Sequence, residues 1–338
     1  MSSSLGLEYL FCRLHGLWEQ AFQGARLERL LNAASEENFL ALLKAEGLPL
    51  SEGEDFSLAI LRRLHNLRQE IQRQVSPELG LYLSAVLDED TVTSLKLLLR
   101  RKFLHTFPQD SLPPLSLDGK FCSQAELKTL LAAANAKEFV SRLPAIFPAD
   151  VLCRIAENLA ASQDLLAADS ALDSLASQRR LLAASKLPLS CRMAALELVQ
   201  REIDLKNTLT VLRNLEFYHF PPETLAQCWL PGGARLTANN FAELGAPTDR
   251  AAFLSALPAP LRDTLTPFRN ADPSLCESAL WNELQRKTLL HFRDFGAPEL
   301  SIVSFPYLMR FEAQNLLRIR EGFRLGLSAA EIRKMLIL

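Results

Sequence analysis

Apolar residues recur three and four positions apart along almost every long segment of this chain, the spacing that gathers them on one face of a helix. Leu, Ala, Glu and Arg dominate and β-branched runs are scarce. No alternating strand pattern of useful length competes, so the chain reads as all-α. Breaks bearing Pro or Gly fall at GLPLSEGEDF, FPQDSLPPLSLDGK, LPAIFPAD, FPPETL, WLPGGARL, LPAPL and FGAPEL, and they divide the helices into groups.

The groups repeat. LERLLNAASEENFLALL at 27–43 aligns without gaps on LKTLLAAANAKEFVSRL at 127–143, pairing Leu27 with Leu127 and Phe39 with Phe139; FAELGAPTDRAAFLSAL at 241–257 is a looser third copy. Each copy predicts a short helix, a polar N-cap (Ser35, Asn135 or Asp249) and a second helix with Phe and Leu four apart. Asn135 and Glu138 have the spacing of a capping box. A second motif recurs downstream: Asp204 and Asn207 in REIDLKNTLTVLRN match Glu312 and Asn315 in RFEAQNLLRIREGF and, more loosely, Asp90 and Thr93 in DEDTVTSLKLLLRRKF. One such pair is ordinarily a solvated face. Three in register point to a repeated unit of about 110 residues, longer than ordinary solenoid repeats. The expected subdomains are 1–110, 111–222 and 223–338, with the polar pairs tying helices to loops or to basic residues such as Arg100, Arg213 and Arg318.

Composition adds bounds. With 338 residues, 49% of them hydrophobic, the chain can bury several cores. Lys and Arg number 37 against 39 Asp and Glu, which leaves no global field to attract nucleic acid or anionic lipid. The basic stretches LRRLHNLRQEIQRQ and LLLRRKF lack interleaved aromatics and read as solvated helix faces. Six dispersed cysteines form no C-x-x-C pair, as expected of reduced thiols in a cytosolic protein. The start of the chain has no basic n-region or cleavage site, and no apolar run is long enough to span a membrane. Phosphate-loop, dinucleotide-binding, nucleophile-elbow and paired-histidine zinc motifs are all missing, and His15, His65, His105, His219 and His291 are isolated from one another. Cys12 and His15 share a helical face, a metal cue with no further ligands beside it. The reading is therefore of a non-enzyme without catalytic residues, cofactor or metal. An acid-base enzyme would need carboxylates such as Asp204 and Glu312 to converge in one closed pocket.

The C-terminal run MRFEAQNLLRIREGFRLGLSAAEIRKML, with REIDLKNTLTVLRN and the N-terminal EYLFCR, resembles the C subunit of V-type and A-type rotary ATPases, relative of the eukaryotic d subunit. The matching features are the Glu/Asp-x-x-Asn helices, Arg318, the Gly326–Leu327 turn, the terminal helix, and Tyr9 with Arg13; Thr93 departs from an expected Asn. That resemblance implies three helical subdomains forming a funnel around a pseudo-threefold axis, placed at the cytoplasmic face of the membrane through the complex. It implies a non-catalytic central-stalk subunit of an ion-translocating ATPase, a socket whose partners are the central axle subunits and the membrane rotor ring, with no nucleic acid and no membrane span of its own. An all-helical protein-binding scaffold is the competing expectation, and it would show short repeats continuing linearly.

Overall fold

The computed structural model describes residues 4–50, 55–104 and 115–338, so His105 lies outside the described residues. Helix α1 (Ser4–Glu19) precedes a pair, α2 (Gly24–Leu31) and α3 (Glu36–Ala45), then α4 (Phe56–Gln72), α5 (Pro77–Leu87) and α6 (Glu89–Leu99), which runs into a π-helical turn at Arg100–Leu104. A small hairpin, β1 (Ser116–Leu117) and β2 (Lys120–Phe121), leads to the second pair, α7 (Gln124–Leu131) and α8 (Ala136–Ser141). After it come α9 (Ala149–Ser162), α10 (Leu165–Ser185) and the long α11 (Leu189–Arg213), again ending in a π-helical turn, Asn214–Tyr218. Then follow α12 (Pro222–Ala226), the third pair α13 (Ala238–Leu244) and α14 (Arg250–Ala256), α15 (Ala259–Leu265), α16 (Pro273–Phe292), α17 (Pro298–Arg324) and α18 (Ala329–Met335).

The all-α reading holds among the described residues apart from the hairpin. Its turn is made by Asp118 and Gly119, with φ of 52° and 72°, and an Asp-Gly pair with both residues in the left-handed region is the favoured two-residue connection between antiparallel strands. The three pairs form as the repeat predicts. Ser35 accepts the Asn38 N–H (3.3 Å), Asn135 the Glu138 N–H (2.9 Å) and Asp249 the Ala252 N–H (2.8 Å), each starting the second helix of its pair. Glu138 reaches back to the Ala134 N–H (2.6 Å), one residue ahead of the cap, so the second box closes early. Phe39, Phe139 and Phe253 occupy the same place in each pair, all with 0% exposure.

The second and third pairs pack on the long helix that precedes them in the chain, and the first packs on the last long helix. The second pair shares a core with Val92, Leu95 and Leu98 of α6. The third sits in the cluster that holds Leu209 and Leu212 of α11. The first packs on Leu316 and Ile319 of α17 and Ile332 of α18, so the end of the chain receives its beginning. Apolar packing thereby joins the expected units 1–110, 111–222 and 223–338, since each pair is packed on a long helix from another of the three.

Helices α5 and α17 meet near their starts. The Tyr82 hydroxyl, five residues into α5, donates to the Val303 carbonyl (3.2 Å), five residues into α17. Helix α17 accommodates the buried Pro306 in its interior, where the missing N–H leaves one turn of the ladder unmade.

Phe139→Ala is expected to lower stability by about 3–5 kcal/mol in chemical denaturation, as a fully buried ring is removed from a packed pair.

Candidate functional site

The recurring polar residues fasten loops to long helices. The Asn207 amide donates to the Leu230 carbonyl (2.8 Å) while its oxygen accepts the Leu230 N–H (2.9 Å). Asn315 makes the same two-point clasp on Ile337, at 2.6 and 2.8 Å. Asp204 accepts three successive backbone N–H groups, from Ala234, Arg235 and Leu236 (3.0, 2.9 and 3.1 Å). Burial pushes its carboxyl above the ordinary range, against those three donors. Glu312 accepts the Phe22 N–H (2.7 Å) and an Arg63 N–H (3.1 Å); burial raises its carboxyl too, opposed first by Arg63.

The close approach at Asp204 depends on the one Gly-Gly pair in the chain. A Cβ on Gly233 would overlap the Asp204 Oδ1, and Gly232, at φ +100°, would collide with Leu181. Asp204 and Glu312 thus hold the segments entering α13 and α2.

In the first repeat the register differs by one residue from Asp90 and Thr93. Asp90 pairs with His65 (2.9 Å), and the exposed Thr93 donates back to the Glu89 carbonyl of its own helix (3.0 Å). The loop is held instead by Thr91, which accepts the Asp118 N–H (3.2 Å), and Ser94, which accepts the Ser116 N–H (2.9 Å). Thr91 and Ser94 keep the three-residue spacing and hold the segment before α7. Hydroxyls replacing acid and amide hid them, while the neighbouring Asp90 offered a more conspicuous match. The basic residues considered as partners do not serve: Arg100 pairs with Asp169, Arg213 with Glu277 (2.6 Å), and Arg318 with the Met335 carbonyl (2.7 Å) and Glu277.

With this register fixed, the residues two positions earlier are Glu89, Glu202 and Arg310, and they meet. Both terminal nitrogens of Arg310 reach Glu202 (3.3 and 3.1 Å), and one of them also bonds Glu89. Arg180 donates to Glu202 (2.7 Å), and Lys206 lies 3.1 Å from Glu202 and 3.4 Å from Glu89. Burial pushes the Glu202 carboxyl up, but Arg180, Arg310 and Lys206 together outweigh it and hold it well below the ordinary 4.5. The neighbouring Asp88 takes Arg68 (2.7 Å) and Arg179, and Arg68 continues to Ser84 (3.0 Å) and Asp118 (3.1 Å). Sequence reasoning missed this cluster; its only signal was the repeat register, which the choice of Asp90 displaced.

Further along the long helices a cavity of about 430 Å³ opens between α6, α10, α11 and α16. Its charged lining is paired across the walls, Lys96 to Asp173 (2.7 Å) and Arg213 to Glu277 (2.6 Å), and the rings of Tyr218 and Phe220 stack at 5.3 Å beside Trp281. Asp204 and Glu312 hold separate chain segments and do not converge in a pocket. Among the described residues, His, Cys, Asp and Glu form no group of three able to hold a metal ion. Cys12 is exposed, whereas His15 stacks on Phe292 (4.2 Å). No helix among the described residues is long and apolar enough to cross a membrane.

Residues 12–335 match the model of a protein family described as ATP synthase (C/AC39) subunit. No curated protein matches the chain.

Asn207→Leu is expected to orphan the Leu230 N–H and carbonyl at a cost on the order of 1–3 kcal/mol each, read as a lower melting temperature. Glu202→Gln leaves Arg180, Arg310 and Lys206 facing a neutral group and is expected to cost about 3–5 kcal/mol. Because the folded-state carboxyl of Glu202 lies below its unfolded value of 4.5, the stability it contributes is complete above that pH and is lost as pH falls through the folded value. Melting temperatures taken from neutral to acid pH should therefore fall more steeply in the parent than in Glu202→Gln.

Proposed function

The chain belongs to the ATP synthase (C/AC39) subunit family, accessory subunits of V/A-type rotary ATPases, and we propose from that premise that it is the rotor socket joining the central axle to the membrane ring. The observation that carries the proposal is the meeting of Glu89, Glu202 and Arg310, which stand at equivalent positions of three repeats. Equivalent side chains converge in this way when three units surround one axis, and here they plug that axis at the level where the long helices pack side by side. The cavity beyond the plug, walled by helices from all three repeats, is the mouth of the funnel and receives the axle. Units 1–110, 111–222 and 223–338 are its three sequence repeats, each lending a long helix to the axis.

A torque-transmitting part must resist twisting, and the clasps at Asn207 and Asn315 with the charged plug supply that stiffness through many short, directional contacts. Packing of α17 and α18 on the first pair supports a closed ring over a linear scaffold, because a linear array leaves its two ends apart. The role needs no chemistry at Asp204 or Glu312 and places the protein at the cytoplasmic face of the membrane through its complex.

Reconstitution of the rotary complex with and without this chain tests the proposal. ATP hydrolysis by the soluble head should persist in both, and ion pumping should require the chain; coupled pumping in its absence would refute the socket.

A further inference from the structure

Beside the Glu202 cluster, the hydroxyls of Ser177, Ser304 and Tyr307 and the Nε of Arg310 are buried and have no hydrogen-bond partner among the described residues. Ser304, Tyr307 and Arg310 stand three apart on one stripe of α17. Long side chains on a helix lean toward its N-terminus, and the Arg310 guanidinium accordingly lies over the Tyr307 ring, 5.5 Å from its centre. The same lean carries the Tyr307 hydroxyl toward the turn of Val303 and Ser304, where Tyr82 donates to the Val303 carbonyl (3.2 Å). Burial pushes both phenols up and Glu202 adds to it in each, which sets both rings beside that carboxylate. Ser177 stands one turn before Arg180 on α10, a helix that packs on α5, and Arg180 donates to Glu202 (2.7 Å).

Buried polar groups in folded proteins are almost always paired, with protein or with ordered water. The neighbouring protein donors are already spent: the Tyr82 proton on Val303, and Arg180 with both terminal nitrogens of Arg310 on Glu202. A hydroxyl both donates and accepts, and water matches it in both senses. A metal cation would meet Arg180 and Arg310 here, and an inorganic anion would meet Glu202 and Glu89. Space for water reaches the same place, since a cavity of about 110 Å³ lies between Glu89, Arg180 and Ala176, the residue next to Ser177. Each water occupies about 30 Å³ in the liquid and makes about three hydrogen bonds when buried, so groups spread over α10 and α17 call for more than one.

We propose that two or more ordered water molecules are built into the protein beside the charged cluster, held by Ser177, Ser304, Tyr307 and the Arg310 Nε. They complete the hydrogen bonding of α10 and α17 where no side chain reaches, and they supply polar surroundings that ease the burial of Glu202 and Arg310. The inference rests on burial and hydrogen bonding and does not depend on the rotor assignment.

The full chain is crystallised at a resolution that shows ordered solvent, once from chloride and once from bromide. Density for two or more waters is expected about 2.7–3.2 Å from these hydroxyls and the Arg310 Nε, without an anomalous bromide signal. Crystals of Tyr307→Phe and Ser304→Ala should each lose at least one of those waters, and oxygen-17 relaxation dispersion in solution should count correspondingly fewer long-lived waters than in the parent. If Tyr307→Phe does not fold, the parent density and Ser304→Ala decide alone. Side chains bonded to one another with no water between them would overturn the proposal. So would a bromide peak, which would assign the site to an anion, or the same waters in both variants.

Discussion

The contact of Arg310 with Glu202 and Glu89 is the constraint on which the arrangement of the long helices depends. These three neighbouring positions cannot all be glutamate, since like charges at that separation disfavour one another strongly in a partly dry interior. Arginine at one of the three, with Arg180 and Lys206 alongside, converts the repulsion into a network. Removing such charges from water costs several kcal/mol per ion, so the cluster is tolerable only with its many hydrogen bonds made together. A slip of any one long helix by a turn, 5.4 Å, would leave buried charges unpaired. The charged cluster therefore sets register, while the surrounding leucines supply most of the burial energy.

Around that cluster the molecule is tied by contacts from helices to the segments that enter the helix pairs. Thr91 and Ser94 hold the entry to α7, Asp204 and Asn207 the segment before α13, and Glu312 the start of the first pair. Carboxylate, amide or hydroxyl suffices because the task is to accept backbone N–H groups that burial would otherwise leave unsatisfied. Asp204 and Glu312 each fix a different chain segment and so stabilise loop geometry. The last long helix reaches the first pair through Glu312, Arg63 and an apolar seam, which joins the end of the chain to its beginning.

The two ends of the long helices differ in chemistry. Toward their C-termini lies a cavity whose cations and carboxylates are paired across its walls, with stacked aromatics beside them. Toward the connecting turns lie the exposed apolar side chains of Leu189, Met193, Leu290 and Phe295. A molecule with one recessed, charge-balanced end and one apolar end is suited to two dissimilar neighbours.

Local rules were legible in the sequence by itself. The helices, the caps at Ser35, Asn135 and Asp249, the buried Phe39, Phe139 and Phe253 and the threefold repetition follow from spacing and side-chain type, because each is decided within a few residues along the chain. The pairs Asp204–Asn207 and Glu312–Asn315 stood out because a polar residue amid aliphatic helix faces is conspicuous. What they hold was not legible, since Leu230, Ile337 and Phe22 contribute only backbone groups, which no side-chain pattern records. Thr91 and Ser94 escaped notice for a related reason: small hydroxyl residues look ordinary in a helix and become anchors only when a loop returns to them. The hairpin at Ser116–Phe121 is too short for any periodicity and is marked only by Asp118–Gly119. The meeting of Glu89, Glu202 and Arg310, and the packing of the first pair on α17 and α18, were decided by tertiary structure alone, because they join residues more than a hundred positions apart, where one-dimensional spacing carries no information on which faces come together.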